Sequence, residues 1–182
     1  MIGPSIDTAI AQRLRRHLAR ATDRYLPLHV DGAVSGWVTP ARRQRLAAFA
    51  DVFVTRDEAL SFLPAMATCA ARSAALERVT RELAREGALS AWRDERYAVG
   101  PSLAAEPWFL LERAAARYFG VHAWAVHGNG LVRHADSVHM WLARRSHAKA
   151  IDPGMLDNLV GGGVAAGLDP RAAFIEEAWE EA

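Results

Sequence analysis

A single cysteine, Cys69, stands in a chain of 182 residues, so neither an intrachain disulfide nor a cysteine zinc cluster can form. A reducing cytoplasm suits such a chain. An imbalance of charge is lacking too: 22 Lys and Arg face 21 Asp and Glu, a formal net charge of +1. Bulk charge therefore gives no support to a nucleic-acid or membrane-surface partner. No apolar run approaches the roughly 20 residues that cross a bilayer. The N-terminal stretch MIGPSIDTAIAQRLRRHLAR has no continuous apolar centre and does not read as a secretory signal. Internal repeats and low-complexity linkers are also missing. What remains is an ordinary globular composition, 51% apolar and 24% charged, which argues against disorder. The length suffices for one sizeable core or two small ones.

The apolar pattern predicts a mixed chain. Ile6, Ile10, Leu14 and Leu18 form a helical stripe that Ser5 or Asp7 could cap. LPLHVDGAVSGWV, β-rich and broken by glycine, reads as a pair of strands or an irregular hairpin. PARRQRLAAFA reads as a short helix and DVFVT as a strand. A long helix is expected from about Leu63 to Glu86, with Pro64 at its start and Gly87 past its end. AWRDERYAV is strand or loop, and EPWFLLERAAARYFG reads as another helix between a proline and a glycine. VHAWAVHGNGLV and SVHMWLARRS, joined by RHAD, are expected to pair as an antiparallel hairpin. Asp169 and Pro170 then supply a cap and a first-turn proline to a final helix.

That helix carries four glutamates. Glu177, Glu180 and Glu181 fall at i, i+3 and i+4 and share one face, with Glu176 off to the side. Like charges on one face repel, and the helix C-terminus disfavours them further. Helix geometry leaves two readings open: a solvated acidic surface, or ligands for a hard divalent cation such as Mg²⁺. His122, His127, His134 and His139 match no compact zinc spacing and are read as structural.

The closing stretch GGGVAAGLDPRAAFIEEAWEEA resembles a Nudix box, whose pattern is G-x5-E-x7-R-E-U-x-E-E-x-G-U, with U a bulky apolar residue. Gly162 takes the place of the box glycine, Glu177 that of the first metal-binding glutamate, and Glu180 and Glu181 that of the closing pair. Leu168 stands where an earlier glutamate is expected, Glu176 where arginine is expected, and Ala178 is smaller than usual. The structural glutamate and arginine of ordinary boxes are thus replaced together. GWV, AWRDERYAV, ERAAARYFGVHAWAVHGNGLV and KAIDPGMLDNLVGGGVAAGL add to the likeness. Together they resemble the Nudix branch related to fungal thiamine pyrophosphokinase proteins, which carries a DUF4743-type N-terminal domain.

The resemblance implies an α+β protein: an N-terminal DUF4743-like domain over residues 1–117, then the opening strands and box helix of a Nudix α/β/α sandwich over 118–182. The sandwich needs further strands and a second helix, so the chain is expected to be incomplete and inactive by itself. The implied activity is Mg²⁺- or Mn²⁺-dependent hydrolysis of a small-molecule diphosphate, thiamine diphosphate or a damaged analogue, to the monophosphate. Glu177, Glu180 and Glu181 would be metal ligands and carry the catalysis. Gly162 and Gly163 would let the backbone pass close to the site. Arg144, Arg145 and Lys149 are candidates for phosphate oxygens, with a solvated strand end as the equal alternative. Trp37, Trp92 and Tyr97 could stack on a ring, although core packing is commoner for such residues. The competing function is a non-catalytic ligand- or partner-binding protein with a degenerate box. Oligomeric state is not legible.

Overall fold

The computed structural model describes residues 8, 10–13, 15, 24–148 and 152–181. Most of the N-terminal stripe (Ile6, Leu14, Leu18) lies outside them, and Ile10 is exposed. The architecture is α+β. Strand β1 (Leu26–Val30) and β2 (Ala33–Val38) form a hairpin. Its two turn residues, Asp31 and Gly32, both take left-handed backbone angles, φ 49° and 82°. Such a turn matches the natural twist of paired strands, and Asp-Gly is the pair that tolerates it. Helix α1 (Pro40–Ala47) follows, capped by Thr39, whose hydroxyl accepts from the Arg42 N–H at 3.3 Å.

Strands β3 (Phe53–Arg56) and β4 (Ala59–Phe62) form a second hairpin, and β4 pairs in parallel with β1. The resulting sheet has the order β2-β1-β4-β3. Helix α2 (Cys69–Arg85) packs on β6 (Phe109–Glu112), which pairs with β5 (Arg96–Val99). A 3-10 turn (Arg113–Ala115) and the short α3 (Ala116–Phe119) follow. The core joins Leu28 and Leu60 of the sheet, Leu46 of α1, Leu76, Val79 and Leu83 of α2, and Phe109, Leu111 and Phe119. Burial of such side chains contributes roughly 1.5–3 kcal/mol each. Rings continue through it, with Phe62 lying 5.0 Å from Phe53 and 5.5 Å from Phe109.

One guanidinium enters this apolar region. Arg72 of α2, 4% exposed, donates to Asp31 Oδ2 at 2.6 Å, to the Trp108 carbonyl at 3.2 Å and to the Ala67 carbonyl at 3.3 Å. It ties the first hairpin turn to the entrances of α2 and β6.

Beyond Gly120 the packing thins. Strand β7 (Ala125–Gly128) pairs with β12 (Val160–Gly163), β8 (Leu131–His134) with β9 (Ser137–Met140), and β10 (Ala143–Arg144) with β11 (Leu156–Asp157). Helix α4 (Pro170–Glu181) closes the chain. Among the described residues past Gly120, only Val160, Val164 and Ala173 are buried. Leu131, Val138, Met140, Trp141, Leu142 and Trp179 all face solvent.

Three expectations are corrected. The long helix starts at Cys69, not near Leu63, because the Leu63 N–H is taken by the Val52 carbonyl at 2.9 Å and Thr68 caps the helix. The missed strand β4 lies just before this turn. EPWFLLE is not helical: Trp108 N–H donates to the Val99 carbonyl at 2.7 Å and Phe109–Glu112 pairs with β5, leaving only a short helix before Gly120. VHAWAV does not pair with VHMWLA. Its end forms β7, whose partner is the glycine strand β12, while the chain breaks at Asn129 and Gly130 and a new strand, β8, takes β9. The hairpin across RHAD therefore exists, but it begins at Leu131.

Candidate functional site

Helix α4 begins where the sequence places it. The Asp169 carboxylate accepts from the N–H groups of Arg171 at 2.9 Å and Ala172 at 3.3 Å, and Pro170 stands first in the helix. A side-chain cap of this kind satisfies N–H groups that have no partner within the helix. The helix then lies across the β7–β12 ribbon, and glycines receive it. A Cβ at Gly128 would stand 2.5 Å from the Phe174 ring. A Cβ at Gly162, its near neighbour across the pair, would overlap the Glu177 carboxyl group. Phe174 and Glu177 are one turn apart, so one helix face meets the ribbon with a ring and then a carboxylate. One turn further, Glu181 Oε2 accepts from the Gly161 N–H at 3.0 Å.

The first part of the chain reaches the same strand. The Tyr97 hydroxyl from β5 lies where a side chain on Gly163 would go. Arg113 sits over the Tyr97 ring at 5.8 Å and grips Glu95 through both carboxylate oxygens, at 2.8 and 3.1 Å. Ala166 N–H donates to the Arg96 carbonyl at 2.7 Å, which fastens the loop before α4 to the edge of β5.

The electrostatics follow from this crowding. Loss of water around Glu177 raises its pKa above the ordinary value, and the charges of Glu180 and Glu181 raise it further, while Arg113 pulls it back. Burial likewise pushes the Tyr97 phenol up, against the pull of Arg113. The Glu177 carboxylate is thus held close to two like charges, with its nearest named counter-charge on another part of the chain.

The glutamate set fits a hard cation in kind, since all its donors are carboxylate oxygens and the glycine strand leaves room for them. Among the described residues, however, no three His, Cys, Asp or Glu side chains converge as they stand. Glu180 and Glu181 are exposed, and Glu180 would have to turn inward to join Glu177.

The other candidates are dispersed. Arg144 Nη1 donates to the Gly154 carbonyl at 2.7 Å, and Arg145 pairs with Asp157 at 2.5 Å, holding that carboxyl below its usual range. Lys149 lies outside the described residues. Trp92 donates to Asp94 at 2.6 Å under Arg81, while Trp37 lines a cavity elsewhere. His134 and His139 meet edge to face at 5.7 Å on the exposed β8–β9 hairpin. Sequence reasoning missed Arg113 and Glu95 altogether and named Tyr97 only as a stacking ring. Their distance from the glutamates along the chain left no local signal.

Comparison with known proteins places the chain in a family. The chain is 40% identical over 111 residues to Nudix hydrolase 24, chloroplastic, and to Nudix hydrolase 20, chloroplastic, both of Arabidopsis thaliana. Each alignment covers 61% of this chain and 30% of the relative. An uncharacterized protein of Saccharomyces cerevisiae, YJR142W, is 34% identical over 116 residues, covering 61% of this chain and 33% of the relative. The chain therefore spans about a third of the length of these curated relatives. Residues 8–123 match DUF4743, a domain of unknown function. With well over half of its length matched, the chain belongs to the DUF4743 family.

Proposed function

We propose that the protein carrying this chain hydrolyses the diphosphate linkage of a small organic molecule in a reaction that depends on Mg²⁺ or Mn²⁺. The observation that carries the reading is the seating of Glu177 and Glu181 on Gly161 and Gly162. The similarity to two proteins named Nudix hydrolases agrees with it. Glu177, Glu180 and Glu181 would hold the cation, which when bound supplies neutralisation of the charge that develops on the pyrophosphate oxygens. The Gly161 N–H orients the Glu181 carboxylate. Gly162 lets Glu177 approach the backbone, and Arg113 tempers the repulsion among the three. Arg144, Arg145 and Lys149 are proposed to steady phosphate oxygens through charge-assisted hydrogen bonds, for which Arg144 must leave the Gly154 carbonyl. The finer substrate, thiamine diphosphate or a damaged analogue, follows from the resemblance to the thiamine pyrophosphokinase-related branch. The division into a DUF4743 domain up to residue 117 and a Nudix portion from 118 is part of the same proposal.

Mn²⁺ binding by calorimetry and phosphate release from thiamine diphosphate against Mg²⁺ concentration test it together. Glu181→Gln keeps an oxygen to accept from Gly161 but loses the charge, so it should abolish metal-dependent release and leave folding intact. Glu176→Gln, off the shared face, should change either measurement less than about threefold. Arg144→Ala should raise KM about tenfold or more, the worth of one charge-assisted contact, with little change in melting temperature. Equal losses in Glu181→Gln and Glu176→Gln would remove the assignment.

A further inference from the structure

A cavity of about 450 Å³ lies away from the glutamates, lined by Tyr25, Trp37, Arg42, Arg117, Gly120 and Val121 among others. Every lining residue falls within the DUF4743 match at 8–123. The volume is of the size that encloses small molecules, which runs from about 300 to 1,000 Å³.

Its walls are fixed by backbone. Trp37 N–H donates to the Gly120 carbonyl at 3.1 Å, and Gly120 has a left-handed φ of 59°. A Cβ on Gly120 would overlap the Trp37 carbonyl, and one on Gly36 would overlap the Phe119 carbonyl. Only glycines let β2 cross residues 119–121 this closely. Trp37, half-buried on that crossing, also lines an adjoining cavity of about 220 Å³.

The charge is one-sided. Among the described residues, the lining holds two guanidinium groups and no carboxylate. Arg42 Nη1 donates to the carbonyls of Arg117 at 2.9 Å and Tyr118 at 3.3 Å, and its guanidinium sits 4.8 Å from the centre of the Tyr118 ring. It is thereby held in place before any ligand arrives, which lowers the ordering cost of binding. Among the described residues neither Arg42 nor Arg117 has an acidic partner. Aromatic side chains beside unpaired guanidinium groups recognise a flat ring with a negative substituent, the ring by stacking and the anion by charge-assisted hydrogen bonds.

We propose that the DUF4743 domain uses this cavity to bind a planar heterocycle bearing a phosphate or carboxylate, with Trp37 and Tyr25 against the ring and Arg42 and Arg117 on the anion. The site is separate from the glutamate cluster and stands whether or not that cluster is catalytic.

Calorimetry on the whole chain with two matched pairs of probes tests this: AMP with adenosine, and nicotinate with nicotinamide. At least one anionic probe should bind saturably, about tenfold or more tighter than its neutral partner. A preference for AMP identifies phosphate as the anion, and one for nicotinate identifies carboxylate. Arg117→Gln should weaken that probe about tenfold. Trp37→Leu should remove binding and Trp37→Phe should retain it, whereas Glu181→Gln should leave it unchanged. Circular dichroism and thermal melting establish that each variant is folded, and if Trp37→Leu is not, Arg117→Gln and Trp37→Phe decide the matter. The proposal is overturned if neither anionic probe binds saturably, if charged and neutral probes bind alike, or if folded Arg117→Gln binds as well as the parent.

Discussion

Single residues in this protein differ most in what surrounds their charge. Partial burial, and then the charges of Glu180 and Glu181, oppose ionisation of Glu177, so its folded-state pKa lies above its unfolded one. In the interval between the two, the folded state holds more protons than the unfolded one, and stability falls as pH rises. The ionised carboxylate therefore costs stability above the raised value and nothing below the ordinary carboxylate range. In metal-free buffer, Glu177→Gln should be more stable than the parent at neutral pH, and the gap should close on acidification. Melting curves taken across that range check the sign, and a gap that widens in acid would contradict it. Arg72 is the opposite case, a buried cation already engaged. Its removal leaves the Trp108 and Ala67 carbonyls and Asp31 without their donor, so Arg72→Ala should cost about 3 kcal/mol by urea denaturation. A loss under about 1 kcal/mol would mean that the guanidinium is dispensable to the turn. The cap at Asp169 was legible from residue type, because it answers a local demand of the backbone, whereas the stretch around Asp31 and Gly32 read only as a pair of strands or an irregular hairpin.

Elements depend on partners that lie far off in the chain. EPWFLLE has enough leucine to look helical, yet it becomes a strand because β5 offers a hydrogen-bonding edge and α2 covers its apolar side. Helix propensity spans only about 0.7 kcal/mol per ordinary residue, which such pairing readily outweighs. Helix α4 shows the converse. Its existence was plain from the cap and the proline, but its seat depends on three glycines in two other strands. Phe174 is the apolar anchor on Gly128, so Phe174→Ala should loosen α4 from the ribbon without touching the main core. Hydrogen exchange should show lost protection in residues 170–181 and in β12, with β1, β4 and α2 unchanged. Equal loss in both regions would indicate a single cooperative unit. Trp179, 85% exposed on the same helix, contributes no such anchor.

At the scale of the whole molecule, packing is uneven. The sheet β2-β1-β4-β3, α2 and the β5–β6 pair enclose the main core, whereas past Gly120 three of the described residues are buried. Regions with few buried apolar contacts open at lower free energy. Native-state hydrogen exchange should therefore show two tiers, with the slowest amides in β1, β4, α2 and β6 and faster exchange through β8–β11. Limited proteolysis should cut first between β9 and β11, leaving a resistant core through Phe119. Uniform protection along the chain would refute this. The apolar side chains exposed along β8, β9 and the loop after them mark the same contrast.

The sequence by itself determined whatever rests on neighbours along the chain. That includes the α+β class, the strands around the first glycine break, α1, the capped final helix, and the shared face of Glu177, Glu180 and Glu181. Turn conformations, caps and helical spacing are set within a few residues, so residue type suffices to read them. Only the tertiary structure decided that β7 takes the glycine strand, that Gly161 and Gly162 seat two of the glutamates, and that Tyr97 and Arg113 reach the same strand from the first part of the chain. Those arrangements depend on which edges and faces are left open once the main core has formed. A glycine records that something comes close, but not what it is.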